Sequence, residues 1–204
     1  MSIQLPEKIK VLNGLREEIS ICKKCSLYKS RINIVPGEGN PEADILFIGE
    51  APGATEDQKG IPFCGAAGKF LDTMLESIGL ERKDVFIANT LKCRPPENRD
   101  PEDSEKIACS PYLEKQIEVI NPKLIVCLGR HSTANFLPGI GGITSMHGKP
   151  VRKKDGRIYL PLYHPAAALH NGGLRQTLID DFSKIPKIIN KINENNLESR
   201  GNEK

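Results

Sequence analysis

The sequence of 204 residues lacks the apolar run of roughly 18 to 20 residues that a membrane-spanning helix requires. Its first residues, MSIQLPEK, lack the basic-then-apolar layout of a secretory signal, so we expect a cytoplasmic protein with no membrane contact. Trp is absent and aromatic residues make up only 5%, but 38% hydrophobic and 27% charged residues are typical of a soluble globular chain. This length favours one α/β domain or two small ones.

Signatures of nucleotide binding are missing as well. The segment 49–53 (GEAPG) follows an apolar run but lacks the Lys and Ser/Thr of a P-loop, and it is not GxGxxG. ATP and dinucleotide binding are therefore weakly supported. Pro52 and Gly53 instead predict a rigid turn that presents backbone N–H groups and the Glu50 carboxylate.

Net charge is small, at +3, but it is unevenly distributed. Residues 40–90 hold nine acidic and four basic residues, whereas residues 147–175 hold six basic residues and one acidic residue. Three of the four His also fall in this basic segment, at His147, His164 and His170. This asymmetry is compatible with a polyanionic partner on one face, and equally with an ordinary solvated surface.

Apolar patterns alternate between helical and extended periods, which predicts an α/β fold with a parallel sheet and helices on both faces. Strands are predicted over 43–48, 85–89, 124–128 and 158–162. Helices are predicted over 7–21, 66–79, 101–120, 129–136 and 173–192. Asp100 is expected to cap the third of these helices, and Pro111 to break or kink it. In such folds ligands bind at the carboxyl ends of the strands.

Four of the six cysteines form a candidate ligand set. Cys22 and Cys25 make one CxxC pair, and Cys93 and Cys109 follow much later. Four thiolates are able to hold either a zinc ion or a 4Fe-4S cluster. A zinc ribbon normally shows two CxxC pairs, so the spacing favours a cluster only modestly. Disulfides are not expected in a large intracellular chain.

The remaining two cysteines fit other roles. Cys127 lies inside the apolar run LIVCL, where a free cysteine behaves as a small core residue. Cys64 lies in a glycine-rich loop, where it is either a ligand or a small loop residue.

Three side chains near predicted strand ends are individually ambiguous. Phe63 stands among small residues, so its ring either packs in the core or stacks on a flat ligand. Asn89 offers a donor and an acceptor that complement a pyrimidine edge, although a turn or cap role is the ordinary interpretation. His164 follows the last predicted strand and opens the segment HPAAAL.

Taken together, the motifs resemble the uracil-DNA glycosylases of family 4, the iron–sulfur type. The matching features are GEAPG at 49–53, ED at 56–57, GIPFCGAAG at 60–68, Asn89 with KCRPP at 92–96, HPAAAL at 164–169 and the four cysteines. The resemblance covers roughly residues 20 to 182. It implies a single uracil-DNA glycosylase domain over 1–204, and the polar composition of residues 195–204 predicts a frayed tail there. It also implies a three-layer αβα sandwich around a four-stranded parallel sheet.

The resemblance further implies the function and the roles of the site residues. The enzyme would flip uracil out of single- or double-stranded DNA and hydrolyse its N-glycosidic bond, leaving an abasic site. Phe63 would stack on the base and Asn89 would bind its pairing edge. His164 would stabilise the leaving uracil anion, assisted by backbone N–H groups of the turn from Gly49 to Ala51. Cys22, Cys25, Cys93 and Cys109 would hold a structural 4Fe-4S cluster.

The residue that activates water is open, because relatives in another family carry Asp where this chain has Ala51. Glu50 is the favoured candidate, and Asp57 is an alternative. A third possibility is that stabilisation of the leaving group alone drives the reaction. The short segment between Cys93 and Cys109 lacks a basic His-containing insertion found in a related group that captures DNA covalently, so we expect turnover.

The basic segment then has a natural partner in DNA. His147, Lys149 and Arg175 are expected to meet phosphates, and Leu169 is a candidate wedge that fills the space left by the extruded base. Two other functions remain to be tested: a non-catalytic binding protein for uracil or damaged DNA, and a redox or metal-carrier protein. We expect a monomer.

Overall fold

The computed structural model describes residues 3–201. Its strands are β1 (Glu38–Gly39), β2 (Ile45–Gly49), β3 (Phe86–Asn89), β4 (Leu124–Leu128), β5 (Val151–Arg152) and β6 (Ile158–Leu162). Its α-helices are α1 (Leu5–Ser20), α2 (Ala54–Lys59), α3 (Ala66–Ser77), α4 (Asp103–Ile120), α5 (Gly129–Phe136), α6 (Ile143–Met146), α7 (Pro165–His170), α8 (Gly172–Phe182) and α9 (Ile185–Gly201).

The strands form one sheet in the order β1-β3-β2-β4-β6-β5. The four inner strands are parallel, which confirms the predicted α/β class, while β1 and β5 pair antiparallel at the two edges. The prediction of four strands is therefore wrong by these two edge strands. Each has only two residues, too few to produce a recognisable alternating pattern.

The inner strands are buried on both faces, as their continuous apolar sequences predict. On one face Phe47 packs with residues of α3, α8 and α9, and its ring stacks on Phe182 at 5.6 Å between centroids. On the other face Ile48 packs with Ile117 of α4. Helices thus cover both faces of the sheet, which gives the expected three-layer αβα arrangement.

Helix α4 corrects two expectations. It begins at Asp103 rather than at Pro101, and Glu102 caps it in a capping box with Glu105. It also continues through Pro111 without a break. Pro111 has no N–H for the carbonyl of Ile107, and the Ser110 hydroxyl donates to that carbonyl instead, at 3.2 Å. The neighbouring serine thus removes part of the penalty for an internal proline.

The predicted final helix over 173–192 is two helices, α8 and α9, separated at residues 183–184. Helix α9 runs to Gly201, past the start of the tail predicted to be frayed at about 195; residues 202–204 lie outside the described part of the chain. Within residues 3–201 no helix combines the length and apolar character needed to cross a membrane.

Candidate active site and four-cysteine site

A cavity of about 290 Å³ opens beyond the carboxyl ends of the parallel strands. Five of the residues predicted from the sequence line it: Glu50, Ala51, Phe63, Asn89 and His164. They come from the ends of β2, β3 and β6 and from the loop before α3, so the topology gathers residues that are far apart in the chain.

Gly49 lies beneath this cavity and has no room for a side chain. A Cβ at this position would collide with Asn89 Oδ1 and lie 2.6 Å from Cζ of the Phe63 ring. The glycine of the GEAPG turn therefore lets the base-binding candidates Phe63 and Asn89 meet at the floor of the cavity.

Asn89 ends β3 with only 2% of its surface exposed. Its Oδ1 is buried and has no hydrogen-bond partner among the described residues. A buried polar atom without a partner destabilises the folded protein, so its persistence at the wall of a cavity indicates an acceptor reserved for a ligand.

His164 caps α7, and its Nδ1 accepts the N–H of Ala166 at 3.1 Å. Because Nδ1 is an acceptor, the proton of the neutral ring resides on Nε2. Burial lowers the pKa of His164 to about 4, with Glu56 acting in the opposite direction. The residue is therefore a neutral imidazole with an N–H donor near physiological pH.

Phe63 adopts a left-handed backbone conformation, with φ of 49°, and its ring stacks on His164 at 5.5 Å between centroids. Glu56 holds this loop from the other side, because its Oε1 accepts the N–H groups of Cys64 at 3.0 Å and Gly65 at 2.8 Å. A Cβ on Gly68 would collide with the Phe63 carbonyl. These contacts fix the position of the aromatic ring.

Glu50 has a half-buried side chain, 29% exposed, and burial raises the pKa of its carboxyl group. His131 opposes that shift in pKa, and its Nε2 lies 3.7 Å from Glu50 Oε2 and 3.3 Å from Asp100 Oδ1. Arg130 donates to the other Asp100 oxygen at 2.8 Å. Glu50 is thus a carboxylate with a raised pKa at the mouth of a cavity, which suits a group that accepts a proton.

Asp57, the alternative candidate for activating water, faces away from the cavity. Its carboxylate accepts the N–H groups of Ile32 at 3.0 Å and Asn33 at 3.4 Å, and it is 2% exposed. Asp57 therefore holds a neighbouring loop, and the sequence-based alternative is wrong for this residue.

The four predicted ligand cysteines lie together. Cys22, Cys25, Cys93 and Cys109 line one small cavity between the end of α1, the loop after β3 and α4. Among the described residues, no three of their sulfurs lie within 4.8 Å of one another.

Each sulfur has one neighbouring donor. The Tyr112 hydroxyl is placed near Cys22, the Leu27 N–H near Cys25 and the Lys92 N–H near Cys109. The Arg31 guanidinium donates to Cys93 at 3.2 Å. Hydrogen bonds of this kind stabilise thiolates that bind a metal or a cluster, so the donor set fits such a group.

The other two cysteines differ from this set. Cys127 is fully buried in β4 and burial raises its pKa to about 12, which confirms its core assignment. Cys64 is partly exposed in the loop before α3, and burial also raises its pKa.

The residues predicted to contact DNA lie outside the cavity. His147 follows α6, and its Nδ1 lies 2.6 Å from Asp181 Oδ2. Lys149 is exposed and donates to the Ser145 carbonyl at 2.8 Å. Leu169 is 43% exposed on α7, and the guanidinium of Arg175 on α8 lies 4.3 Å from the centre of the Phe70 ring.

Sequence reasoning missed two residues of this region and the role of a third. His131 contacts Glu50 and Arg99 lines the cavity, while Glu56, which the motif comparison included without a role, holds the Phe63 loop. Arg99 is itself held by a two-pronged bond to Glu105, at 2.6 and 2.9 Å. His131 follows the end of β4 by three residues, and that position is the sequence signal that could have identified it.

Comparison with known proteins identifies the family of this chain. A model of the uracil DNA glycosylase superfamily matches residues 36–186. A type-4 uracil-DNA glycosylase of Sulfurisphaera tokodaii is 53% identical over 87% of this chain and 84% of its own. A type-4 uracil-DNA glycosylase of Archaeoglobus fulgidus is 46% identical over 88% of this chain and 94% of its own. A type-5 uracil-DNA glycosylase of Thermus thermophilus is 34% identical over 64% of this chain and 68% of its own. The chain therefore belongs to the uracil-DNA glycosylase superfamily and, within it, to the type-4 family.

Proposed function

We propose that this protein is a DNA-repair hydrolase that flips uracil out of DNA and cleaves its N-glycosidic bond, releasing uracil and leaving an abasic site. One observation carries the proposal: the unpaired Asn89 Oδ1 and a neutral His164 line the same cavity as Phe63. An acceptor, a donor and an aromatic face are the groups that a flipped pyrimidine requires.

Recognition of the base rests on Asn89 and Phe63. Uracil presents an N3–H donor and an O4 acceptor at its pairing edge, and the Asn89 carboxamide offers the complementary pair. Cytosine has an acceptor at N3, which would face the unpaired Asn89 Oδ1, so a fixed amide rejects it. Phe63 supplies a ring face held by the Glu56 contacts.

Bond cleavage rests on His164. As the glycosidic bond breaks, uracil keeps the bonding electron pair and negative charge develops on its O2. The Nε2–H of His164 donates to that oxygen without transferring its proton, because the ring is neutral in the free enzyme. Backbone N–H groups of the turn from Gly49 to Ala51 assist.

Glu50 completes the hydrolysis. Its carboxylate accepts a proton from water as the water oxygen bonds to the deoxyribose C1′ atom. Burial raises the pKa of Glu50, and His131 acts in the opposite direction. We assign this role to Glu50 because Asp57 faces away from the cavity.

The cofactor belongs to the proposal too. Cys22, Cys25, Cys93 and Cys109 would hold a 4Fe-4S cluster that serves the fold rather than the reaction. Four thiolates on one zinc ion lie about 3.8 Å apart, given Zn–S bonds of about 2.3 Å. The wider spacing of the sulfurs in this chain supports a larger group.

Contacts with DNA outside the cavity are assigned to the basic surface. His147, Lys149 and Arg175 would meet phosphates, and the exposed Leu169 would fill the space vacated by the base. Phosphate contacts supply affinity without choosing a sequence.

The deciding experiment is excision from labelled oligonucleotides that carry uracil in U·G pairs, in U·A pairs or in a single strand. Alkaline treatment then cuts the strand at each abasic site. Cleavage that requires uracil supports the proposal, whereas binding without cleavage would identify a non-catalytic uracil-binding protein. A DNA adduct that survives denaturation would contradict the expected turnover.

A further inference from the structure

Lys92 lies between the base-binding residue Asn89 and the cysteine Cys93, and its side chain is almost fully buried, at 1% exposure. Its ammonium donates to the main-chain carbonyl of Asn89 at 2.9 Å and to Gln116 Oε1 at 2.6 Å. Gln116 is held in turn by the Pro36 carbonyl at 2.7 Å. A buried lysine thus reaches back to the strand end that carries the uracil-binding amide.

The charge of this ammonium is poorly compensated by its hydrogen-bond partners. Both acceptors are neutral, and no carboxylate of the described residues forms an ion pair with it. Burying an unpaired charge strongly destabilises a fold. Lys92 instead lines the same small cavity as Cys93 and Cys109. Thiolates that bind a metal group would provide the missing negative charge.

The turn that carries Lys92 also joins the two catalytic strand ends. Thr90 N–H and Leu91 N–H donate to the carbonyls of Gly49 and Glu50, both at 3.0 Å. A shift of the segment from Asn89 to Lys92 would therefore move the walls of the uracil cavity as well as the cysteine loop.

We propose that Lys92 is a positioning residue that couples the four-cysteine site to the uracil cavity: its ammonium balances the charge of the cysteine thiolates and holds the Asn89 carbonyl in place. The role of Lys92 in holding the Asn89 carbonyl rests on the proposed function, whereas its role in balancing the charge of the cysteine thiolates does not. Because coupling between two sites is reciprocal, filling the uracil cavity must also stabilise the group held by the cysteines.

The test measures iron release. Purified holoprotein is mixed with an iron chelator, and loss of visible absorbance and of protein-bound iron is followed for wild type and Lys92→Met. Lys8→Met is the matched control, because Lys8 also donates to two neutral oxygens, the main-chain carbonyls of Pro41 and Ile120, and lies at the far end of α1 from Cys22. We expect Lys92→Met to release iron about tenfold faster than wild type, and Lys8→Met within about twofold of it. Equal iron release from Lys92→Met and Lys8→Met would overturn the proposed charge balance between Lys92 and the cysteine thiolates.

Coupling is tested by repeating the measurement with a duplex that carries 2′-fluoro-2′-deoxyuridine, a nucleotide that resists excision, and with the same duplex carrying thymine. We expect the uracil analogue to raise the chelator concentration that removes half of the iron from wild type about fivefold relative to thymine, and to have no such effect in Lys92→Met. An equal effect of the uracil analogue on wild type and on Lys92→Met would overturn the proposed coupling between the two sites. If wild type released no uracil from DNA, the proposed function would fail while the chelator arms without DNA still tested Lys92.

A second variant keeps the inference testable if Lys92→Met does not fold. Gln116→Glu keeps the lysine but places a carboxylate beside its ammonium, which competes with the thiolates for the same positive charge. Faster iron release from Gln116→Glu supports the inference, and unchanged release contradicts it.

Discussion

The uracil cavity and the four-cysteine site lie on either side of the same short turn, yet the polar atoms of the two sites differ in how far the protein satisfies their hydrogen bonds. In the cavity, Asn89 Oδ1 has no partner among the described residues, and His164 Nδ1 accepts the Ala166 N–H, which leaves the proton of the neutral ring on Nε2. At the cysteine site, each of the four sulfurs has its own N–H or O–H donor. A site that binds a ligand transiently leaves groups unpaired, whereas a site that holds a permanent group is satisfied by the protein.

The largest effect should come from removing a ligand of the permanent group. We expect Cys109→Ser to lose most of the bound iron and to unfold at a lower temperature, because the binding energy of the proposed cluster would contribute to folding. Cys127→Ser should keep its iron, since Cys127 lies inside β4. The iron content and the unfolding temperature of the two variants are measured. Equal iron loss from Cys109→Ser and Cys127→Ser would contradict the assignment of Cys109 as a ligand and Cys127 as a core residue.

The next effect concerns the chemical step in the cavity. Glu50→Gln should lower single-turnover excision by about 10²- to 10⁴-fold, because the amide cannot accept the proton from water. Asp57→Asn is the matched control, since Asp57 binds a loop and not the cavity; it should excise uracil at nearly the wild-type rate. Unchanged excision by Glu50→Gln rules out its role as base.

A pH effect on stability should follow from His164. Its folded pKa of about 4 lies below the ordinary value of 6.5, so the unfolded chain binds the proton more readily. This contribution to stability is complete above pH 6.5, is lost as the pH falls toward 4, and amounts to about 3 kcal/mol. We expect urea unfolding at pH 7 and pH 4.5 to differ less in His164→Asn than in wild type. Identical pH dependence in both would contradict the burial of a neutral His164.

A smaller loss of activity is expected from Asn89→Ala. Removing one hydrogen-bonding side chain from the base should slow excision by about 10- to 100-fold. Stability should not fall in parallel, because the variant also removes a buried atom without a partner. Single-turnover kinetics and urea unfolding measure the two effects, and a large loss of stability would show that Asn89 serves the fold instead.

The smallest effect belongs to the exposed surface. Lys149→Ala should weaken binding to uracil-containing DNA and lower the slope of log affinity against log salt by about 1. Lys115→Ala, on the exposed side of α4, is the control and should leave the slope unchanged. A salt slope unchanged by Lys149→Ala would remove this residue from the DNA-binding surface.

Much of the fold was predictable because local patterns encode local structure. Runs such as ILFIG and LIVCL contain few polar side chains, and only a strand buried on both faces accommodates them. The continuity of α4 was not predictable, since it depends on the Ser110 hydroxyl reaching the Ile107 carbonyl in place of the Pro111 N–H. The two-residue edge strands are too short for any periodic signal.

The candidate site divides along the same line. The sequence by itself determined the inner strands and the turn after β2, because each is a pattern of neighbouring residues, and it indicated the joint motif and the four cysteines through the family resemblance. Only the tertiary structure decided that His131 meets Glu50, that Asp57 turns away and that Lys92 reaches Gln116 of α4. Such pairings depend on distances between chain-distant groups in a closely packed interior, which no local periodicity encodes.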